Sequence, residues 1–342
     1  MKAFILASSA ISPQNSFGLE KDLNVSINAE ATYLKALEPK FRDYLDPKMA
    51  RRMARIIKMG IVTASDSLSQ AKIDKPDAIC IGTGLGCLED TKKFLDQIDD
   101  TNEGLLSPTS FIQSTHNTIA GQIALLLQCD SHNFTFANRG FSFENALEDG
   151  IMLLEEGVEN VLVGGIDEVI ADSLDILEIT GCGGNIDNED LPTIGEGSTM
   201  FILSSSDQGA IAQVSGVKSI FGNVTEQDLK DAIDNIHSNN GINRDQISSI
   251  VLGCGSSITK SDFYKNLIKD WSDKPIYDYK ALSGDYFSSS AFGLHMVTEM
   301  IKNQRGIKRA LINDKEAEEF ENVLLISHSG EMYKSIFLIS RS

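Results

Sequence analysis

The chain has 342 residues and carries 30 Lys and Arg against 49 Asp and Glu, a formal net charge of −19. That length suffices for two ordinary domains or one large α/β unit, and 42% hydrophobic residues with only 7 Pro exclude a disordered or repetitive chain. The acidity excludes nucleic acid or an anionic membrane as main partner, because a phosphate backbone is held by clustered Lys and Arg; it also opposes close approach of an acidic carrier protein.

In chain order, the run Met1-Lys2-Ala3-Phe4-Ile5-Leu6-Ala7 breaks at Ser8. It is too short for a signal-peptide core or a membrane span and reads as a first strand. Asp46-Pro47 predicts a helix running to about Ala71, with Pro at its first position. Buried strands are expected at 78–84, 133–138, 160–165, 198–205, 249–254, 322–328 and 334–340. Several run straight into small-residue turns: Gly82-Thr83-Gly84, Gly164-Gly165, Gly253-Cys254-Gly255 and Ser329-Gly330. Loops at the carboxyl ends of such strands are where α/β folds place chemistry. A helix starts near Phe141 and ends at Gly157; Thr225 opens another that Gly241 closes. The loop 181–197, rich in Gly, Asn and Asp, is the nearest thing to a seam. The strand–helix series before residue 205 and the shorter one after it suggest two related halves, 1–205 and 206–342. Five scattered cysteines, Cys80, Cys87, Cys129, Cys182 and Cys254, show no CxxC pair or nearby histidine that suggests zinc. Free thiols in a reducing cytoplasm are expected, with no metal and no cofactor.

Residues 107–165 are the most informative. Ser107-Pro108-Thr109-Ser110-Phe111, followed by Thr115-His116-Asn117-Thr118-Ile119-Ala120-Gly121-Gln122-Ile123-Ala124, closely resembles the dimer-interface region of β-ketoacyl synthases. The strand from Asn133, the tight turn, the helix ending Glu155-Glu156-Gly157 and the strand Val161-Leu162-Val163-Gly164-Gly165 are similar to that family's nucleophile region. Further matches are Ile11-Ser12-Pro13, Gly195-Glu196-Gly197, Lys280 four residues before Gly284, and Ser329-Gly330. The resemblance implies the thiolase fold, a five-layered αβαβα architecture of two similar halves, with Phe111, Thr115, His116 and Asn117 at a dimer interface.

The departures fall on the chemistry. The family needs a cysteine at the tip of the helix after that first strand, where backbone N–H groups and the macrodipole stabilise a thiolate. Counting back 17 residues from Gly157 reaches Gly140, and a one-residue shift gives Arg139; no cysteine lies between Cys129 and Cys182. Where the two family histidines belong stand Cys254 and Asp285, while the family's lysine is kept as Lys280. His328 replaces the gating phenylalanine; Phe141, His328, Ser329 and Gly330 are the candidate tunnel or gate residues. Because such groups act together, losing them removes most of the rate advantage, and no catalytic residue is expected.

Plainer readings stand beside these. Cys254 is either a rewired nucleophile or a small packed residue. His328 lines an acyl tunnel or is a structural histidine. Helix capping alone would account for His116-Asn117. His132, His237 and His295 read as loop or helix-surface residues. Asp285 and Lys280 are candidates for a simple ion pair, and Ser142 has no base placed for it. The run Gly82-Thr83-Gly84-Leu85-Gly86 lacks the spacing of a dinucleotide loop. The resemblance therefore implies a non-condensing, chain-length-factor-like partner of an active β-ketoacyl-ACP synthase, which would supply the catalytic residues. It would meet acyl carrier protein only indirectly, through that partner. The Ser-Pro-Thr-Ser-Phe segment and short length resemble the small degenerate subunits of aryl-polyene or flexirubin-type clusters. The rival is a stand-alone homodimeric acyl-thioester enzyme, a decarboxylase or acyltransferase, using Cys254.

Overall fold

The computed structural model describes residues 3–18, 22–23, 33–101, 104, 106–181, 183–184, 191–255, 262–330 and 332–342. Cys182 and part of the loop 181–197 lie outside them. Strands β1 (Ala3–Ile11), β2 (Ala78–Gly82), β3 (Asn133–Phe136), β4 (Asn160–Asp167) and β5 (Gly197–Ser204) are followed by β6 (Ala212–Phe221), β7 (Ser249–Gly253), β8 (Ile276–Asp278), β9 (Asn322–Ser329) and β10 (Tyr333–Arg341). They form one sheet in the order β3-β2-β4-β5-β1-β6-β10-β9-β7-β8. Read outward from the centre, the two flanks repeat one pattern. In each flank, three strands are mutually parallel and the two innermost run antiparallel to their neighbours. The flanks join where Ala3–Ile5 of β1 pairs with Ala212–Val214 of β6.

The helices are α1 (Pro47–Ala50), α2 (Arg55–Ala71), α3 (Leu88–Thr101), α4 (Pro108–Gln113), α5 (Thr118–Leu127), α6 (Ser142–Glu155), α7 (Ala171–Ile179), α8 (Glu226–Asn240), α9 (Asp262–Asp270), α10 (Lys280–Ser283) and α11 (Ser290–Asn303). Successive strand residues face opposite sides, and three apolar cores follow from that alternation. Ile79 and Ile81 of β2 pack with Ile57 and Ile61 of α2 and Ile119 of α5. Cys80 of the same strand faces a central core with Phe143 and Leu147 of α6 and Phe292 and Met296 of α11. On the other flank, Val251, Leu325 and Phe337 join that central core, while Ile250, Leu252 and Leu324 pack outward against Leu229 and Ile233 of α8 and Leu267 of α9. The two flanks of the one sheet thus enclose α6 and α11, with α2 and α5 outside one flank and α8 and α9 outside the other, the expected five-layered α/β architecture.

Local signals account for most elements. Thr225 and Asp228 form a reciprocal capping box, and Gly241 ends α8 at φ +64°. The helix expected over 47–71 is interrupted. Asp46 accepts from the N–H groups of Lys48 and Met49, but α1 stops at Ala50 and Ala54 is extended (φ −57°, ψ 159°) before α2. Two histidines read as surface residues are interior: His237 is buried on α8, and His295 sits in the core on α11 with Nδ1 2.9 Å from Ser8 Oγ. Among the described residues, no helix is long and apolar enough to cross a membrane.

Candidate functional site

A cavity of about 830 Å³ opens where the carboxyl ends of strands from both flanks meet. Leu85, Arg139, Asp167, Glu168 and Val169 line it from one flank; Phe263, Tyr264, Asp285, Tyr286, Phe287, His328, Ser329, Gly330, Tyr333 and Lys334 line it from the other. Most of this wall is apolar or aromatic, with charged groups at a few points, as in a small-molecule or acyl site.

The turn between β3 and α6 sets one wall. Gly82, at the end of β2, allows close approach, since a Cβ there would stand 2.3 Å from the Ser142 carbonyl oxygen. The Asn138 N–H donates to Ser142 Oγ at 2.9 Å, and that hydroxyl donates to the Arg139 carbonyl at 2.8 Å. Ser142 is thus spent holding the turn. Between them Arg139 takes φ +47°, left-handed backbone that a non-glycine residue adopts only under local constraint. Its exposed side chain lines the cavity. Gly140 does not: a Cβ there would lie 2.6 Å from Ser329 Cβ and 2.8 Å from Tyr333 Cβ. Of the two candidates for the nucleophile position, the one that faces the cavity is Arg139. Phe141 is also turned away from the cavity lining, into an edge-on aromatic cluster with Tyr333 at 5.0 Å and Phe221 at 6.5 Å.

The opposite wall is organised by a buried lysine. Lys280 Nζ lies 2.8 Å from Asp285 Oδ1 and donates to the His328 carbonyl at 2.5 Å, so the pair is present. The Tyr264 hydroxyl hydrogen-bonds His328 Nδ1. Burial, with Lys280 and Lys334 nearby, holds the His328 imidazole well below its ordinary range, and it stays neutral. Cys254 is buried in the outer core with Tyr264 and Trp271 and is not a lining residue. Its N–H donates to Asp278 Oδ1 at 3.3 Å. Burial and the Asp278 carboxylate push its thiol well up, which leaves it a poor nucleophile.

Two carboxylates at the end of β4 carry no flag in the sequence reading. Asp167 is buried and accepts from Gly84 N–H at 2.8 Å, Ser288 N–H at 2.9 Å and Ser288 Oγ at 2.7 Å. Burial raises it, against those hydrogen bonds. Burial likewise pushes Glu168 up to about 7, while it accepts from Glu89 N–H at 3.1 Å. Their place directly after an apolar strand is the signal that would have found them. Behind them Glu196, fully buried, accepts a bidentate pair from Arg55 at 2.5 and 2.7 Å and the N–H groups of Ala36 and Val169. This ties α2 to the cavity floor.

Phe111, Thr115, His116 and Asn117 are exposed and none of them lines the cavity, though His116 packs against Gly86, next to the lining residue Leu85. Phe111 is 56% exposed, Ile112 59%, Leu125 70% and Phe134 of the edge strand β3 55%. Asn117 stands at the start of α5 without a side-chain cap bond, so capping does not explain it.

Residues 28–175 match the family model described as β-ketoacyl synthase, N-terminal domain. The chain is 21% identical over 209 residues to the 3-oxoacyl-[acyl-carrier-protein] synthase 2 of Staphylococcus aureus strains N315 and Mu50, covering 55% of this chain. It spans about half (50%) the length of these curated relatives. Among solved structures, a β-ketoacyl synthase from Burkholderia phymatum superposes with a TM-score of 0.82 at 14% identity, covering 100% of this chain and 99% of that one. This is the ketosynthase fold. The ishigamide ketosynthase/chain length factor gives 0.80 at 15% identity, over 100% and 99% of the two chains. The ketosynthase ApeO in complex with its chain length factor ApeC, from Xenorhabdus doucetiae, gives 0.76 at 15%, over 99% and 98%.

Proposed function

We propose that this chain is a non-condensing, chain-length-factor-like subunit that pairs with an active β-ketoacyl-ACP synthase and shapes its acyl tunnel. One observation carries the reading: the strand–helix turn at the cavity, strained at φ +47°, presents Arg139, and no described cysteine lines the cavity. A turn without a thiol offers no nucleophile for acyl transfer. Exposed apolar side chains such as Phe111 and Phe134, and β3 at the end of the sheet among the described residues, support a partner on this side of the chain. The likeness of fold to ketosynthase/chain length factor pairs supports the same division of labour. The partner supplies the thiol and the histidines and meets the acyl carrier; this chain, at −19, meets the carrier only through it. On this reading the chain has two halves, 1–205 and 206–342, a division that the repeated pattern of the sheet's flanks supports. Within this role we assign the chain to the small subunits of aryl-polyene or flexirubin-type systems.

The rival, a stand-alone acyl-thioester enzyme working through Cys254, lacks an accessible thiol. Intact-mass analysis after offering acyl- and malonyl-carrier thioesters separates the two. Expected are no adduct on this chain alone and, on co-expression with a ketosynthase from the same genomic neighbourhood, a 1:1 complex acylated on the partner. An adduct on Cys254 would overturn the proposal. In the complex, Phe111→Ala should shift product length, because an apolar pocket discriminates roughly 1–3 kcal/mol per methylene; unchanged products would leave a scaffold that does not shape the tunnel.

A further inference from the structure

Away from the cavity, three side chains from three elements converge near the free edge of the sheet. Cys80 lies in the middle of β2, His132 stands just before β3, and Asp149 projects from α6. The Cys80 thiol donates to Asp149 Oδ2 at 3.2 Å, and His132 Nε2 lies 2.9 Å from the same oxygen. All three donor atoms are within 4.8 Å of one another. We propose that Cys80, His132 and Asp149 form a three-ligand site for a zinc-type divalent ion, with its fourth position open to water.

Thiolate, imidazole and carboxylate are the three ligand types zinc takes, and three protein ligands plus water is a known arrangement for it. Bonds of about 2.0–2.3 Å set tetrahedral donors roughly 3.3–3.7 Å apart, so the contacts at Asp149 need open by only a few tenths of an ångström. A thiolate ligand turns the site away from magnesium and calcium. Cys80 is fully buried at the floor, whereas His132 and Asp149 are 28% and 23% exposed, which leaves a way in from solvent. The imidazole is oriented by stacking on Phe134, ring centroids 4.5 Å apart at 26°. Among the described residues, Asp149 has no lysine or arginine within ion-pair distance to compete for its carboxylate. Burial and Asp149 push the Cys80 thiol up, so it carries its proton in the metal-free protein. Binding breaks the S–H bond, forms the metal–sulfur bond and releases that proton to water. The ion would fasten the entry of the edge strand to β2 and α6. The proposal does not depend on the chain-length-factor reading.

The test uses the full chain, stripped with a chelator and titrated with cobalt(II) alone. The expected result is one equivalent bound with a thiolate-to-cobalt charge-transfer band, bleached by zinc. The band should vanish in Cys80→Ser and survive in Cys254→Ala. His132→Gln, at a partly exposed ring, should weaken binding at least about 10-fold, and carries the test alone where Cys80→Ser does not fold. Absence of the band, or His132→Gln binding as tightly as wild type, means a hydrogen-bonded trio only and overturns the site.

Discussion

Two turns at strand ends, which the resemblance would make sites of chemistry, differ from each other in opposite ways. At residues 138–142 the backbone is strained and open: φ +47° at Arg139, a helix N-terminus behind it, and a cavity in front, but no thiol. What is missing is a reactive atom. At residues 253–255 a sulfur is present, but Cys254 is folded into an outer core and its thiol is held protonated. Neither an open turn nor a cysteine makes an acyl-transfer site by itself; the thiolate must be both accessible and stabilised.

The largest expected effect bears on the second turn. Asp285→Ala leaves Lys280, buried beside Cys254, without its carboxylate, and should cost about 3–5 kcal/mol of stability in urea denaturation. A cost below about 1 kcal/mol would mean this wall is not organised by the pair. The contrast in reactivity comes next. Arg139→Cys should introduce a thiol alkylated by iodoacetamide roughly 100-fold faster than native Cys254; equal rates would dissolve the distinction between the turns.

Third is a pH effect on buried acids. Burial pushes Glu168, and Glu144 beneath the first turn of α6, up to about 7. The folded state therefore holds protons that the unfolded chain releases near its ordinary 4.5. Stability is present in full below that value and is lost as pH rises toward 7, by about 3 kcal/mol per group. Glu144→Gln and Glu168→Gln should each flatten the melting temperature between pH 5 and 8, and a profile unchanged in both refutes the assignment. Smallest is Cys254→Ala, expected to cost about 1 kcal/mol and to leave product formation by the complex unchanged. Loss of product there would restore a chemical role to the sulfur.

Legibility followed local physics. Strands such as β5, buried along its whole length, announce themselves as continuous apolar and small-residue runs, and Thr225 and Gly241 marked α8 from both ends. What escaped lacks a local signal. Helix α11 is buried from Ser290 to Ile301, between two sheet layers, so it has no polar face to give it a period. β8 has only three residues. At the cavity wall, Asp285 and His328 were legible as departures from a family pattern, and Lys280 behind them as a match to it. Choosing Arg139 over Gly140 needed a dihedral angle and a clash with Ser329 and Tyr333, which no sequence spacing encodes. Tyr264 reaches His328 across 64 positions of chain, and His132 meets Cys80 only because parallel β2 and β3 lie side by side.

The seam through β1 bears on how the chain folds. β1 leaves the ribosome before either strand it pairs with; Ile11 must wait for Ser198 and Ala3 for Val214. Roughly two hundred residues of synthesis, ten seconds or more at typical rates, separate this strand from its first neighbour. Until then the apolar faces of β2, β4 and α2 have no central strand to close on. Closing so long a loop is a slow step, and during it the nascent first half is a target for chaperones, whatever the stability of the finished fold.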